Sequence, residues 1–373
     1  MSLPPYLIAG VVALLVTYAV AHEMHWIARR LGAVAAPGGR HIHTDPIPRL
    51  GGLAIFVGAM LALLLVLPVD RAVALVREPR YFVLAVPYHP LPRPLLGLLA
   101  GAVAITVLGA IDDLRPLPGR LKFPLIYAAA AVPAFFGVTT QFLTNPITGT
   151  SIPLGMAGGV VTTVWLGSLA IAMNSIDGVD GLAAGIAAIT GATLLSAGAA
   201  RGDTAMMTLA AASAGASLGF LRHNFNPARI FMGDSGSMLL GYLLGAAAAQ
   251  GLFKTVTALS LVIPLLALAV PIFDTGYAIV RRYRTGVSIF LPDRGHLHHR
   301  LLDRGLTQRQ TVLVLYLLSA LLGLGGLAVG GINRTPSLII LAVIVLALLA
   351  VARRLGLLRV RPPQDVAQHV NLR

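Results

Sequence analysis

Long apolar runs recur along nearly the whole chain, and they limit what it can fold into more than any other feature. Eleven candidate spans lie at about 5–22, 50–69, 94–111, 123–140, 155–173, 182–200, 204–221, 237–253, 257–280, 311–331 and 336–352. A helix of about 20 apolar residues crosses the hydrocarbon core of a bilayer. Only 11% of the 373 residues are charged against 57% hydrophobic, with a mean hydropathy of +0.83. No soluble domain hides that much apolar surface behind so few charges. The expected fold class is therefore all-α, a polytopic integral membrane protein of about eleven transmembrane helices. Residues 7–21 lack the basic n-region and cleavage site of a signal peptide, so they read as a retained first span. With no cysteine, disulfides and thiolate metal sites are excluded.

The formal net charge of +14 has the sign of a nucleic-acid binder. No aromatic-basic interleaving accompanies it, and in a membrane protein such charge marks cytoplasmic loops and anionic headgroups. No nucleic-acid partner is expected. If the spans alternate from an outside N-terminus, 21 of the 28 basic residues fall inside, which supports N-out and C-in. Four of the seven outside lie in the Pro-rich loop 70–93. The organisation expected is a single transmembrane catalytic domain over 1–352 and a basic cytoplasmic tail over 353–373. No internal repeat is visible, so an inverted-repeat transporter has no support from sequence symmetry.

Five inner loops carry polar clusters, all on one side of the membrane. In AMNSIDGVDGLAAG (172–185), Asn174, Asp177 and Asp180 stand three residues apart, on one face while the backbone is helical. Gly178 and Gly181 then let the chain turn. Carboxylates at the end of a span are expensive and are usually kept to hold an ion or substrate. In HIHTDPIPRLGG (41–52), Arg49 is a candidate phosphate contact, or else snorkels to headgroups. In GAIDDLRPLPGRLKF (109–123), Asp112 and Asp113 end a helix, where negative charge opposes the macrodipole. They call for a cation: Arg115, Arg120, Lys122, a metal or a reacting group. Neighbours on a helix point about 100° apart, so the two acids should divide their roles.

In RHNFNPARIFMGDSGSMLLG (222–241), Asp234 lies between Gly233 and Gly236, and Ser235 or Ser237 can cap the following helix. A glycine-flanked helix start suits an anionic oxygen, but an acid there binds phosphate badly unless Mg²⁺ sits between. Phe231 could stack on a base or pack at the interface. In LPDRGHLHHRLLDRG (291–305), His296, His298 and His299 join Arg294 and Arg300 in a dense cationic site. HxHH has zinc-like spacing, but no HExxH pattern accompanies it, and a grip on oxyanions is the better reading. Asp274, inside a predicted span, reads as a helix-packing or pairing residue. Asp203 and Asp70 read as solvated, and His22, Glu23 and His25 as an interfacial cluster.

These clusters, in this order, resemble the polyprenyl-phosphate N-acetylhexosamine-1-phosphate transferases of the glycosyltransferase 4 type. The matching residues are TDPIPRLGG at 44–52, DD at 112–113, NSIDGVDGLAAG at 174–185, FMGDSGS at 231–237 and HLHHR at 296–300. The HxHHR form is similar to the bacterial UDP-N-acetylglucosamine branch, whereas the phospho-MurNAc-pentapeptide branch usually carries three consecutive histidines, here interrupted by Leu297. The resemblance implies transfer of a sugar 1-phosphate from a UDP-sugar donor to a polyprenyl phosphate acceptor in the bacterial plasma membrane, with release of UMP. It implies Mg²⁺, with Mn²⁺ as a substitute, held at Asp234 with help from Asn174. It places Asp177 and Asp180 in the nucleotide pocket, Asp180 on uracil, Phe231 stacked on uracil, and Lys122 in the catalytic site. Homodimers are frequent in such a family.

The residues ask for the same chemistry on their own terms. A divalent ion on the pyrophosphate would neutralise the leaving group, while Lys122 and the His/Arg loop stabilise equatorial oxygens. Asp112 or Asp113 is the candidate proton acceptor, with a phospho-aspartyl intermediate as the opposing idea. Rival functions are the same transfer from another UDP-sugar, an ion-coupled transporter, and a zinc membrane hydrolase.

Overall fold

The computed structural model describes residues 3–35, 46–66, 93–144, 150–254, 259–288 and 295–330, with the single positions 339, 343 and 346. Arg294, most of the 70–93 loop, the tail 353–373 and nearly all of the predicted span 336–352 lie outside the described residues. The described chain is helical apart from two short antiparallel pairs. The helices are α1 (Pro5–Arg30), α2 (Gly51–Val66), α3 (Arg93–Leu114), α4 (Gly119–Phe135), α5 (Ala157–Ile176), α6 (Leu182–Arg201), α7 (Thr204–Asn224), α8 (Gly233–Lys254), α9 (Leu259–Ala267), α10 (Ala269–Arg284), α11 (Leu297–Leu302) and α12 (Gln308–Gly330). β1 (Val34–Ala35) pairs with β2 (Ile47–Pro48), and β3 (Phe142–Thr144) with β4 (Ser151–Pro153).

Among the described residues, six helices are long and apolar enough to cross a bilayer: α1, α3, α5, α6, α7 and α12. α2 is apolar but shorter. Their outward faces carry exposed Val103, Val107, Val160, Val164, Leu317, Leu321 and Leu324. That is the reverse of a soluble helix and is the surface a lipid tail accepts.

The run predicted as one span over 257–280 is two helices. Pro271 has no N–H to give the carbonyl one turn back, and the ladder breaks at Leu268. The freed Ala267 carbonyl accepts instead from the Thr190 hydroxyl at 2.8 Å. The run predicted at 123–140 is α4, which starts at Gly119 and stops at Phe135, just after Pro133.

α8 is the axis of the array, packed by α2, α3, α5, α6 and α7. Met238, Leu239, Leu240, Tyr242 and Leu244 are fully buried along it. Small residues set the closeness of these contacts, as between helices in lipid, where backbone approach replaces hydrophobic drive. A Cβ on Gly52 would lie 2.0 Å from the Gly236 nitrogen, and one on Gly109 2.4 Å from the Ser235 nitrogen. Both contacts press α2 and α3 against the first turn of α8. The C-terminal ends of α3, α5 and α7 and the N-terminal ends of α4, α6 and α8 meet at this one end of the array, which places the polar loops together.

Candidate active site

The site is built on the first turn of α8. Gly233 starts the helix with φ +69°, and a Cβ there would strike the Asp113 carboxylate at 2.5 Å. Asp113, at the end of α3, accepts from the Asp234 N–H (2.8 Å), the Ser235 N–H (3.1 Å) and the Ser235 hydroxyl (2.7 Å). The cap expected from Ser235 or Ser237 thus comes from another helix. Ser235 donates to Asp113, and the Ser237 hydroxyl donates back to the Gly233 carbonyl at 2.9 Å. A buried carboxylate satisfied by three donors is a fixed part of the frame, and its charge suits the positive end of α8.

Asp112 points elsewhere, as its place one residue along the helix requires. Its Oδ1 accepts the Leu117 N–H at 2.8 Å and its Oδ2 pairs with Lys122 Nζ at 3.1 Å. Lys122 also contacts Asp234 Oδ2, so one ammonium joins the two acids. Asp234 Oδ1 accepts from Asn174 Nδ2 at 2.8 Å, and the same amide nitrogen reaches Ser237 Oγ at 3.0 Å. Three of the five inner loops therefore meet at Asp234.

Around this centre the other predicted residues take two kinds of place. Asp177 follows the end of α5. Burial raises its carboxyl to about 7, Asp113 and Asp180 adding repulsion and Arg49 opposing them. Arg49 thus faces the acids rather than only the headgroups. Its segment is pinned to the loop before α8: the Phe231 N–H donates to the Pro48 carbonyl (2.8 Å), and the Gly51 and Gly52 N–H groups to the Phe231 and Met232 carbonyls (3.0 and 2.8 Å). The corner uses Leu50 at φ +79°, a conformation that costs a non-glycine residue on the order of 1–3 kcal/mol and recurs at functional sites. Phe231 is half-buried at this junction.

Asp180 is tied into scaffolding. Its Oδ2 accepts from Asn226 Nδ2 and the Ala228 N–H, both at 3.0 Å, and Asn226 in turn donates to Gln308 Oε1 at 2.7 Å. Beside it, Asn224 Oδ1 accepts the Gly181 N–H at 3.0 Å.

His298 closes the site from the other flank. A Cβ on Gly178 would sit 2.5 Å from His298 Nε2, so that glycine admits the ring. Among the described residues Nε2 has no hydrogen-bond partner. Burial, with His299 beside it and His296 near, drives the His298 pKa down to about 3, Asp274 opposing, so the ring is neutral at physiological pH. His299 lies 4.3 Å from His298 between ring centroids. Arg300 donates through Nε to the Gly295 carbonyl at 3.0 Å and lies over Tyr277, bracing its own loop.

The oxygens at the centre are those of carboxylates and hydroxyls. Mg²⁺ prefers such oxygens and is commonly held by one or two carboxylates with the rest supplied by water and phosphate. Among the described residues no group of three His, Cys, Asp or Glu is arranged to hold a metal, which leaves the zinc reading of the histidines without support and suits an ion completed by substrate. Asp234 fits that role. Asn174 presents its amide nitrogen, not its oxygen, to Asp234, so its described contact is that of a donor holding the carboxylate.

Known proteins are similar to this chain. The family model described as Glycosyl transferase family 4 matches residues 95–252. A Mycobacterium tuberculosis (H37Rv) protein named decaprenyl-phosphate N-acetylglucosaminephosphotransferase is 39% identical over 374 residues, covering 94% of this chain and 89% of its own. A Bacillus subtilis (strain 168) protein named "Probable undecaprenyl-phosphate N-acetylglucosaminyl 1-phosphate transferase" is 34% identical over 350 residues, covering 94% and 92%. The chain belongs to glycosyl transferase family 4, among the polyprenyl-phosphate N-acetylhexosamine-1-phosphate transferases. It is a phosphoglycosyltransferase and a membrane protein. A more distant member, the Escherichia coli (strain K12) undecaprenyl-phosphate alpha-N-acetylglucosaminyl 1-phosphate transferase, is 26% identical over 326 residues, covering 86% and 83%.

Several residues that shape this transferase's site gave little sign in the sequence. Ser235 was visible only as a cap, and it serves Asp113 instead. Asn224, Asn226 and Gln308 carry no motif of their own and work through bonds across long separations. Asp203, read as solvated, is buried and caps α7 by accepting the Met206 N–H at 3.0 Å.

Proposed function

We propose that this protein transfers N-acetylglucosamine 1-phosphate from UDP-N-acetylglucosamine to a polyprenyl phosphate at the cytoplasmic face of the bacterial plasma membrane, in a Mg²⁺-dependent reaction. The observation that carries the reading is the meeting of Asp112, Asp113, Lys122 and Asn174 around Asp234. The names of the relatives support the donor and acceptor classes, and the interrupted HxHHR run supports N-acetylglucosamine over phospho-MurNAc-pentapeptide. The acids sit at one end of the helical array rather than at mid-span, which removes the reason to read an ion-coupled transporter.

A lipid phosphate oxygen attacks the sugar-linked phosphorus of the donor. The bond from that phosphorus to the bridging oxygen breaks, and UMP leaves with the oxygen. The product is polyprenyl-diphosphate-N-acetylglucosamine. A bound Mg²⁺ would supply neutralisation of pyrophosphate charge at Asp234. Lys122 brings a second positive charge to the same place. His298 keeps a neutral imidazole beside the Asp177–Asp180 turn, able to hydrogen-bond without adding charge.

Asp113 has both oxygens engaged by donors, so it is a poor base and a poor nucleophile. Asp112 also has a donor on each oxygen, the Leu117 N–H and Lys122, but two donors against the three on Asp113 leave it the less occupied candidate to take a proton. A phosphate with second pKa near 6 is mostly dianionic at neutral pH, so base catalysis contributes little next to positioning. Direct attack follows: enzyme and UDP-sugar without lipid should not exchange labelled UMP into the donor, and rapid lipid-independent exchange would show a covalent intermediate.

The deciding experiment is UMP release by purified protein with polyprenyl phosphate and a panel of UDP-sugars. Release with UDP-N-acetylglucosamine, abolished by EDTA and restored by Mg²⁺ or Mn²⁺, is the expected result. Release only with another UDP-sugar moves the donor, and no release with any of them removes the reading.

A further inference from the structure

One face of α10 holds the histidine loop in place. Asp274, Tyr277 and Arg281 stand three and four residues apart and so share that face. The buried Arg281 guanidinium donates to the Gly295 carbonyl at 2.7 Å, and a Cβ on Gly295 would lie 2.1 Å from its central carbon. Arg281 and Arg300 flank the Tyr277 ring at 5.4 and 5.1 Å.

Asp274 is only 2% exposed, and both of its oxygens face the loop. Oδ1 accepts the Leu297 N–H at 2.7 Å, which supplies a cap that the side chain of His296, at the start of α11, does not make. Oδ2 lies 2.7 Å from His296 Nδ1. The His296 ring is parallel to that of His298, with centroids 5.7 Å apart, so its orientation also sets the neighbour that closes on Gly178.

A backbone N–H can only donate, so Oδ1 must accept. A carboxylate accepts equally well on its second oxygen, and a short charge-assisted bond to Nδ1–H then results. We propose that Asp274 is a positioning residue for His296: its carboxylate holds the ring with Nδ1 protonated and turns Nε2 toward the phosphates of the donor. The inference rests on the transferase reading and deepens it. Asp274 touches no substrate itself; it acts through the histidine. The logic is the one that makes an aspartate fix a histidine tautomer in serine proteases.

The test follows from what asparagine cannot do. In Asp274→Asn, Oδ1 keeps the Leu297 N–H, and the amide nitrogen must then donate to ring Nδ1. That forces the proton to Nε2. Full-length protein with ¹⁵N-labelled imidazoles, in micelles, reads this directly, with His296→Gln identifying the signal. The expected result is a His296 ring with Nδ1 protonated in the wild type and with only Nε2 protonated in Asp274→Asn. A wild-type ring bare at Nδ1, or a tautomer indifferent to Asp274→Asn, overturns the proposal. The wild-type measurement stands even if Asp274→Asn does not fold.

Kinetics supply the second arm. Asp274→Asn should lower kcat by roughly 10²-fold, the scale of a lost proton-transfer or phosphate contact, with the donor KM little changed. In a His296→Gln background it should cost nothing further, because the partner through which it acts is gone. Losses that multiply in the double variant overturn the proposal. A wild-type protein that releases no UMP from any UDP-sugar sinks the transferase reading and the role of His296 with it, while the spectra still report the tautomer.

Discussion

Lys122 is the cation that Asp112 at the end of α3 called for, and it serves Asp234 of α8 at the same time. Its ammonium contacts Asp112 and Asp234 from a partly buried position, 16% exposed. Removing it leaves two carboxylates facing each other and, in the proposed reaction, takes a positive charge from the pyrophosphate. Lys122→Met should lower kcat by about 10²–10³-fold, the usual loss for one electrostatic contact to a transition state, read as UMP release. Lys122→Arg should not restore it, since a planar guanidinium cannot sit as a compact charge between two acids.

Asp177 gives a prediction with a definite sign. Its folded pKa of about 7 exceeds the ordinary 3.8, so the folded state binds more protons than the unfolded state between those values. Stability therefore falls as pH rises through that window. Asp177→Asn should raise the melting temperature of the substrate-free protein at pH 8, and the gain should shrink as pH falls toward 4. A gain that grows on acidification would show that the carboxylate is stabilised by its surroundings.

At the scale of elements, the site depends on how closely α2 and α3 approach the first turn of α8. A Cβ on Gly52 would meet backbone atoms of Gly236, which cannot swing aside as a side chain can. Gly52→Ala should cost roughly 1–3 kcal/mol through overpacking, seen as a lower melting temperature in detergent. It should also lower turnover, because the displaced first turn of α8 is the one that carries Asp234 and Ser235. Gly276→Ala is the matched control. It lies in α10 with nothing within 4 Å of its added Cβ, so the same chemical change should be neutral or slightly stabilising.

Across the whole molecule, the absence of cysteine makes topology directly measurable. Met156 is 98% exposed at the start of α5, at the end of the array opposite the site, and Arg120 is exposed beside Lys122. In intact cells, Met156→Cys should react with a membrane-impermeant maleimide, and Arg120→Cys should react only after lysis. Labelling of both from outside would contradict the N-out, C-in arrangement.

The apolar runs and the order of the five polar clusters were legible in the chain itself, because hydropathy and residue type are local properties. That Asp112 and Asp113 would part company was legible too, since adjacent helical residues cannot face one way. What no local pattern could supply is partnership across the fold. Asp113 caps a helix that begins 120 residues later in the chain, Lys122 completes Asp234, Asp274 reaches the histidine loop, and Asp180 belongs to Asn226. Only packing decides such pairs, because a buried acceptor takes whichever donor the neighbouring backbone delivers, and glycines chosen for close approach determine which backbone that is.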